Sequence, residues 1–225
     1  MHLPAGSYSG PAYQPINEFL RACSGLPKRY RDVLARHPSL TFAATVGHIR
    51  AAIRKLAAVA TDEEVSQPLY RGVSGVLQKD FFTMDKQGMV IAAEPGFMST
   101  SREIETPLKY MDRDQGGDHV LWELSPKQES SWGYHHGADI SLLSQFSKEK
   151  EILFPPCTML EVTVAAKGAS HQLKRTVSTA AELTVPAVPE SPQVSGKTVS
   201  RTTTTAAGEE VTVKYVLVKA RPCFV

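Results

Sequence analysis

Apolar residues in the first sixty positions recur at helical spacing. Ile16, Phe19 and Leu20 open the pattern, and Tyr30, Val33 and Leu34 continue it until Pro38 stops it. From 42 to 59, Val46, Ile49, Ile53, Leu56 and Val59 form an apolar stripe opposite Arg50, Arg54 and Lys55, which predicts an amphipathic helix. Beyond Val65 the character changes. PLYRGV (68–73), MVIAA (89–93), HVLWEL (119–124), EILF (151–154), MLEVTV (159–164) and VTVKYVLVKA (211–220) are strand-like and parted by turn signals. SREIETPLKYM (101–111) predicts a short helix with Ser101 as its N-cap. Helices first and strands later predict an α+β fold, the N-terminal helices packed on a largely antiparallel sheet or sandwich.

Two segments break the pattern. Residues 1–15, rich in Pro, Gly, Ser and Tyr, predict a flexible N-terminal segment. Residues 175–208 are rich in Thr, Ser, Pro and Ala with almost no large apolar side chains, and predict a flexible insertion between two final strands. The rest of 16–225 reads as a single domain, since 225 residues suffice for one well-buried core.

Composition narrows the function classes. A hydrophobic content of 42% and a charged content of 21% are ordinary for a soluble globular chain. A net charge of +2 points to neither nucleic acid nor a membrane surface as partner. No apolar run approaches the roughly 20 residues that span a bilayer. The start, MHLPAGSYSGPAYQP, lacks the basic and apolar regions of a signal peptide, so a cytoplasmic protein or a secreted effector is expected. Cys23, Cys157 and Cys223 are odd in number and form no CxxC, which predicts no structural zinc and a reducing compartment. His135 and His136 would point apart on an extended chain, which predicts a surface loop and no metal site.

Three short stretches carry candidate chemistry. In SQFSKEKEILFPP (144–156), alternation along a strand would turn Glu149 and Glu151 to one face and Lys150 to the other. Paired carboxylates repel unless water, a cation or a ligand offsets them, although Glu-Lys-Glu also fits a solvated strand edge. In LYRGV (69–73), Arg71 stands among apolar residues and is followed by Gly72. A structural salt bridge fits, and so does an anion clamp with Gly72 admitting a ligand to the backbone. In GFMSTSR (96–102), Ser99 and Ser101 share a face of an extended chain. One hydroxyl could fix a carboxylate while the other caps the next helix, and a plain turn fits as well.

Taken in order, LYRGV, GFMSTSREIETPLKYM (96–111) and SQFSKEKEILFPPCTMLEV (144–162) make a pattern that resembles the mono-ADP-ribosyltransferases of the arginine-serine-glutamate clade. The resemblance covers most of 65–167 and the closing strand. It implies a split two-sheet core with NAD as co-substrate in the cleft between the sheets, no metal, and nicotinamide as leaving group. Arg71 would contact the phosphates or ribose of NAD, and Gly72 the nicotinamide amide through its backbone. Thr100 and Ser101 would complete the dinucleotide site. Ser99 would orient Glu151, and Glu151 would bind the 2′-hydroxyl of the nicotinamide ribose. A fixed carboxylate there would stabilise positive charge developing at C1′. Glu149 would prepare an incoming guanidinium, and Gln145 and Phe146 would meet the target. The implied partner is an acceptor protein presenting an arginine, and a monomer is expected. Arg102 and Tyr110 would fall in the family's phosphate–nicotinamide loop, with Arg102 read as solvated.

Three other readings stay open. An NAD glycohydrolase would use the same residues with water as acceptor. A glycoside hydrolase would use the two carboxylates but leaves Arg71 and Ser99 unexplained. A transferase-like binding module without activity is the third.

Overall fold

The computed structural model describes residues 12–23, 31–32, 35–37, 41–77, 81, 83–85, 89–113, 118–127, 135–163, 197–204 and 210–223. Among the described residues, the helices with defined bounds that come first are α1 (Tyr13–Cys23), α2 (Ala43–Ala57) and α3 (Asp62–Ser66). Nine strands follow, β1 (Leu69–Ser74), β2 (Ile91–Glu94), β3 (Met98–Ser101), β4 (His119–Leu124), β5 (Ala138–Asp139), β6 (Glu151–Phe154), β7 (Thr158–Val162), β8 (Lys197–Thr204) and β9 (Glu210–Cys223). Helix α4 (Glu105–Arg113) lies between β3 and β4. The protein is thus a mixed α and β fold.

Local chemistry accounts for the boundaries. Pro15 sits in the first turn of α1, where its missing N–H costs nothing. Thr61 and Glu64 form a reciprocal capping box that lets the five-residue α3 exist, an arrangement worth about 1 kcal/mol. Strand β6 runs from Glu151 to Phe154 and ends against Pro155-Pro156. Helix α4 starts four residues later than the expected cap at Ser101. The Ser101 hydroxyl instead accepts from the Glu103 N–H at 2.9 Å, forming a turn ahead of the helix.

The strands form one hydrogen-bonded path, β2-β7-β9-β4-β1-β3-β6-β5, with β8 added on β9. All pairs are antiparallel except β4 with β9. The two separate sheets expected from the resemblance are here one path with a narrow joint. Strands β1 and β3 share the single pair Tyr70↔Ser101. Five strands of the path lie on one side of that joint and three on the other.

Two expectations need correction. Tyr13, Gln14 and Pro15 belong to α1, so the helix begins inside the segment read as flexible. Lys197–Thr204 is a strand whose residues pair with 210–217 of β9, within a stretch read as structureless. That stretch is poor in bulky side chains but dense in Thr and Val, which suit extended backbone. The remaining residues of 175–208 lie outside the described residues, as do Tyr30, Val33 and Leu34.

Three apolar clusters hold the layers. The largest covers one sheet face with Leu69, Met98, Trp122, Phe154, Leu160 and Val218 among its members. On the opposite face, Ile16 of α1 and Ile53 of α2 pack against Phe97, Ala138, Ile140 and Leu153. Further along that face, Leu108 and Met111 of α4 pack against Leu121 and Tyr215. Gly72 makes the second contact possible, because a Cβ there would lie 3.0 Å from Met111 Cγ and 3.2 Å from Pro107 Cβ. Between these two helix-covered patches the face carries Ser99, Ser101 and Glu151. Cross-strand register places them in line, with Tyr70 opposite Ser101 and Ser101 opposite Glu151.

Candidate active site

A cavity of about 150 Å³ opens at the narrow joint of the sheet. Tyr70, Arg71, Gly72, Ser99, Thr100, Ser101, Thr106, Pro107, Tyr110, Glu149 and Glu151 line it. Eight of these were singled out in the sequence: Arg71, Gly72, Ser99, Thr100, Ser101, Tyr110, Glu149 and Glu151. Gln145 and Phe146 are not among them. Both are exposed on the loop just before Glu149, with Phe146 keeping about half its surface in solvent.

Beyond the pair Tyr70↔Ser101 the β1–β3 ladder ends, and Arg71 bridges the gap. Its guanidinium donates to the Ser99 carbonyl at 2.9 Å and to Glu94 Oε2 at 3.0 Å. Glu94 also accepts from Arg21 of α1 at 3.2 Å and from the Gly96 N–H at 3.0 Å. Burial alone would raise the Glu94 pKa. The charges of Arg71 and Arg21 and the hydrogen bonds from Arg21 and Gly96 outweigh it and hold the carboxyl below the usual range. Two guanidinium groups around one carboxylate leave a net charge of about +1 at this end of the site.

Asn17 fastens α1 in place for this contact. Its side-chain amide donates to the Phe97 carbonyl at 3.3 Å, and its Oδ1 accepts from the Phe97 N–H at 2.8 Å. Gly96 is required beside it, since a Cβ would come within 2.8 Å of Asn17 Oδ1.

Glu151 is buried at the start of β6. Burial raises its pKa and the neighbouring charge of Glu149 adds to the rise, while a hydrogen bond from the Ser99 side chain works against both. The net shift is upward. Glu149 is only half-buried and lies in a single 3₁₀ turn, Ser147–Glu149. Its carboxylate accepts a short hydrogen bond from the Tyr110 hydroxyl. Its carbonyl accepts from the Ser101 hydroxyl at 2.6 Å.

Strand alternation predicts that this pair shares a face, and the backbone differs. Glu149 precedes the strand, and Lys150 between the two glutamates takes the left-handed conformation, φ 45° and ψ 52°. That kink brings the two carboxylates to one cavity while Lys150 ion-pairs with Glu103. A lysine in that region is uncommon and costs about 1–2 kcal/mol, so the surrounding hydrogen bonds must hold it there.

Other side chains depart from expectation. Arg102 is largely buried, ion-paired to Asp139 and within 3.8 Å of Glu64, where a solvated residue was expected. Asp139 in turn accepts from the Ser141 N–H at 2.8 Å, fixing the base of the loop that leads to Glu149. His136 is buried rather than on the surface, and lines a separate cavity of about 170 Å³ with Arg102 and Asp139. Among the described residues no cluster of His, Cys, Asp or Glu could hold a metal ion. No helix there is long and apolar enough to cross a membrane. Glu94 and Arg21 escaped the sequence reading. A glutamate before Pro-Gly looks like turn charge, and Arg21 stands 73 residues from its partner Glu94.

Comparison with known proteins agrees with this architecture. No curated protein is significantly similar in sequence. Among solved structures, the chain is similar to the ADP-ribosyltransferase Vis in complex with the M6 inhibitor, with 18% identity and a TM-score of 0.50. That alignment covers 96% of this chain and 70% of the other, and Vis comes from Vibrio splendidus. The ADP-ribosyltransferase HopU1 of Pseudomonas syringae pv. Tomato DC3000 aligns at 17% identity and a TM-score of 0.46, over 93% of this chain and 66% of that one. Exoenzyme S from Pseudomonas aeruginosa, in complex with human 14-3-3 protein beta and bound to Carba-NAD, aligns at 14% identity and a TM-score of 0.36, over 95% and 70%. The sequence itself matches a family model, ADP-ribosyltransferase exoenzyme, across residues 5–185. That match spans α1, the arginine strand, the Ser-Thr-Ser strand and both glutamates, and the chain belongs to the ADP-ribosyltransferase exoenzyme family.

Proposed function

We propose that this chain transfers ADP-ribose from NAD to an arginine side chain of an acceptor protein and releases nicotinamide. The observation that carries the reading is the pair Glu149 and Glu151. They line one cavity with Arg71 and Ser99, and their surroundings give them different properties.

Arg71 supplies the charge for the NAD diphosphate or ribose, with Glu94 fixing its fork and Arg21 offsetting the Glu94 charge. Gly72 offers backbone to the nicotinamide amide, and Thr100 and Ser101 shape the floor. Ser99 holds Glu151 through its hydroxyl. Glu151 receives the 2′-hydroxyl of the nicotinamide ribose and faces C1′ as the C1′–N bond breaks. Positive charge grows on the sugar at that moment, so the carboxylate stabilises the transition state more than the ground state. Nicotinamide leaves with the electron pair and is neutral, so no group need protonate it. Glu149, more exposed, accepts a proton from the arginine guanidinium as one of its nitrogens bonds to C1′. Gln145 and Phe146 lie outside the cavity on the loop before Glu149 and would meet the acceptor protein, whether in the cytoplasm or after secretion.

Incubation with labelled NAD and polyarginine, followed by mass spectrometry of the modified residue, tests the reading. Label on arginine supports it. Nicotinamide release with no labelled acceptor would favour a glycohydrolase, and no NAD turnover at all would favour an inactive module.

A further inference from the structure

Glu149 is held from two sides by one segment. The Ser101 hydroxyl donates to its backbone carbonyl at 2.6 Å, and the Tyr110 hydroxyl donates to its side-chain Oε1. Both donors belong to the β3–α4 segment, and Tyr110 reaches across from the middle of α4. Tyr110 lines the same cavity as both glutamates, yet about half its surface remains in solvent.

We propose that Tyr110 is a positioning residue for the acceptor step, and that it sets the ratio of arginine transfer to NAD hydrolysis. This rests on the arginine reading above. The Tyr110 hydroxyl occupies one oxygen of Glu149 and leaves the other, Oε2, for the guanidinium. A carboxylate on a half-exposed 3₁₀ turn otherwise samples several rotamers, and only some of them face C1′. Fixing one oxygen removes that freedom before the acceptor arrives. In the step itself the C1′–N bond to nicotinamide breaks with its electron pair leaving on nicotinamide. A guanidino nitrogen then forms the new bond to C1′, and its proton passes to the Glu149 oxygen that Tyr110 does not hold. The tyrosine hydroxyl keeps its own proton throughout. Water needs no such alignment, because it can approach C1′ without two fixed contacts.

Tyr110→Phe tests this cleanly, since it keeps the ring and its packing and removes only the hydroxyl. Transfer is followed with agmatine as acceptor, and NAD hydrolysis as nicotinamide release without acceptor. The expected result is a drop of about tenfold in kcat/KM for agmatine, as for one lost hydrogen bond to a charged group. KM for NAD and acceptor-free nicotinamide release should stay within about twofold, a difference too small to assign to one contact. In a Glu149→Gln background the same substitution should change agmatine transfer by less than about twofold, because the carboxylate that takes the guanidinium proton is gone even though the amide oxygen can still accept from Tyr110.

Wild-type levels of transfer in Tyr110→Phe would overturn the proposal and leave the arginine reading intact. So would a parallel fall in hydrolysis and NAD affinity, which would place the hydroxyl on the dinucleotide. Wild-type protein that hydrolyses NAD without modifying agmatine or polyarginine would overturn the arginine reading, and the proposal with it.

Discussion

Arg71 and Glu94 form a 3.0 Å ion pair at the rim of the cavity, and Glu94 carries a second arginine, Arg21, on its other side. The arrangement links α1 to the strand that bears Arg71, so a helix far from the two glutamates helps aim the group proposed to receive NAD. Removing Glu94 would leave two guanidinium groups close together with no shared counter-charge.

Glu94→Gln should therefore raise KM for NAD by about tenfold, the scale of one charge-assisted contact, with a smaller change in kcat. It should also alter acid stability. The folded-state pKa of Glu94 lies below its ordinary value of 4.5, so its contribution is present above that value and lost as pH falls through the lowered one. Thermal melts at neutral pH and in acid measure this. The wild type should lose more stability on acidification than the variant, and equal losses would rule out the assignment.

Glu151 has the opposite sign. Its pKa is raised above 4.5 by burial and by Glu149, so the ionised carboxylate weakens the fold once pH exceeds the raised value. Glu151→Gln should raise Tm near neutral pH, and the gain should shrink toward zero as pH falls below 4.5. In the proposed role beside C1′, Glu151 acts in its ionised form. The acidic limb of nicotinamide release should consequently sit above the range of an ordinary glutamate. A limb at or below 4.5 would show that Glu151 is not the group being titrated.

Much of the strand framework was legible because it rests on local chemistry. EILF is a run of apolar residues stopped by two prolines, and the structure gives a strand over those four residues. HVLWEL likewise forms β4 without a shift. The amphipathic stripe read from 42 to 59 is α2, trimmed at each end. What was not legible depends on distant partners. Arg102 looks solvated until Asp139, 37 positions away, is folded against it. The left-handed turn at Lys150 carries no Gly or Asn to announce it, so alternation along a strand was the natural extrapolation. Strand β8 needs β9 as its template, and its Thr-rich sequence alone does not distinguish a strand from a linker.

The two glutamates should separate by assay. Glu151→Gln keeps the shape but removes the charge proposed to act beside C1′, and should lower both arginine transfer and NAD hydrolysis by roughly a hundredfold or more. Glu149→Gln leaves that charge in place and should suppress transfer strongly while much of the hydrolysis persists. Nicotinamide release and label on polyarginine, measured side by side for the wild type and both variants, decide the matter. Equal loss of both activities in Glu149→Gln, at unchanged NAD affinity, would refute the division of roles.

The kink at Lys150 offers the last test, because two features meet in that residue. Its side chain pairs with Glu103 at the surface, and its backbone occupies the left-handed region. An exposed ion pair contributes at most about 1 kcal/mol, whereas a β-branched residue is strongly disfavoured at such a φ. Lys150→Asn removes the charge and keeps a side chain that tolerates the conformation. It should leave stability within about 1 kcal/mol and both activities near wild type. Lys150→Val removes the charge and also opposes the conformation. It should cost about 2 kcal/mol or more and displace Glu149 relative to Glu151. Arginine transfer should then fall more than NAD hydrolysis, since Glu151 is anchored in β6 by its ladder to β3 and by Ser99. Chemical denaturation and the paired assay together read both effects. If Asn and Val behaved alike, the ion pair rather than the backbone turn would be what places Glu149.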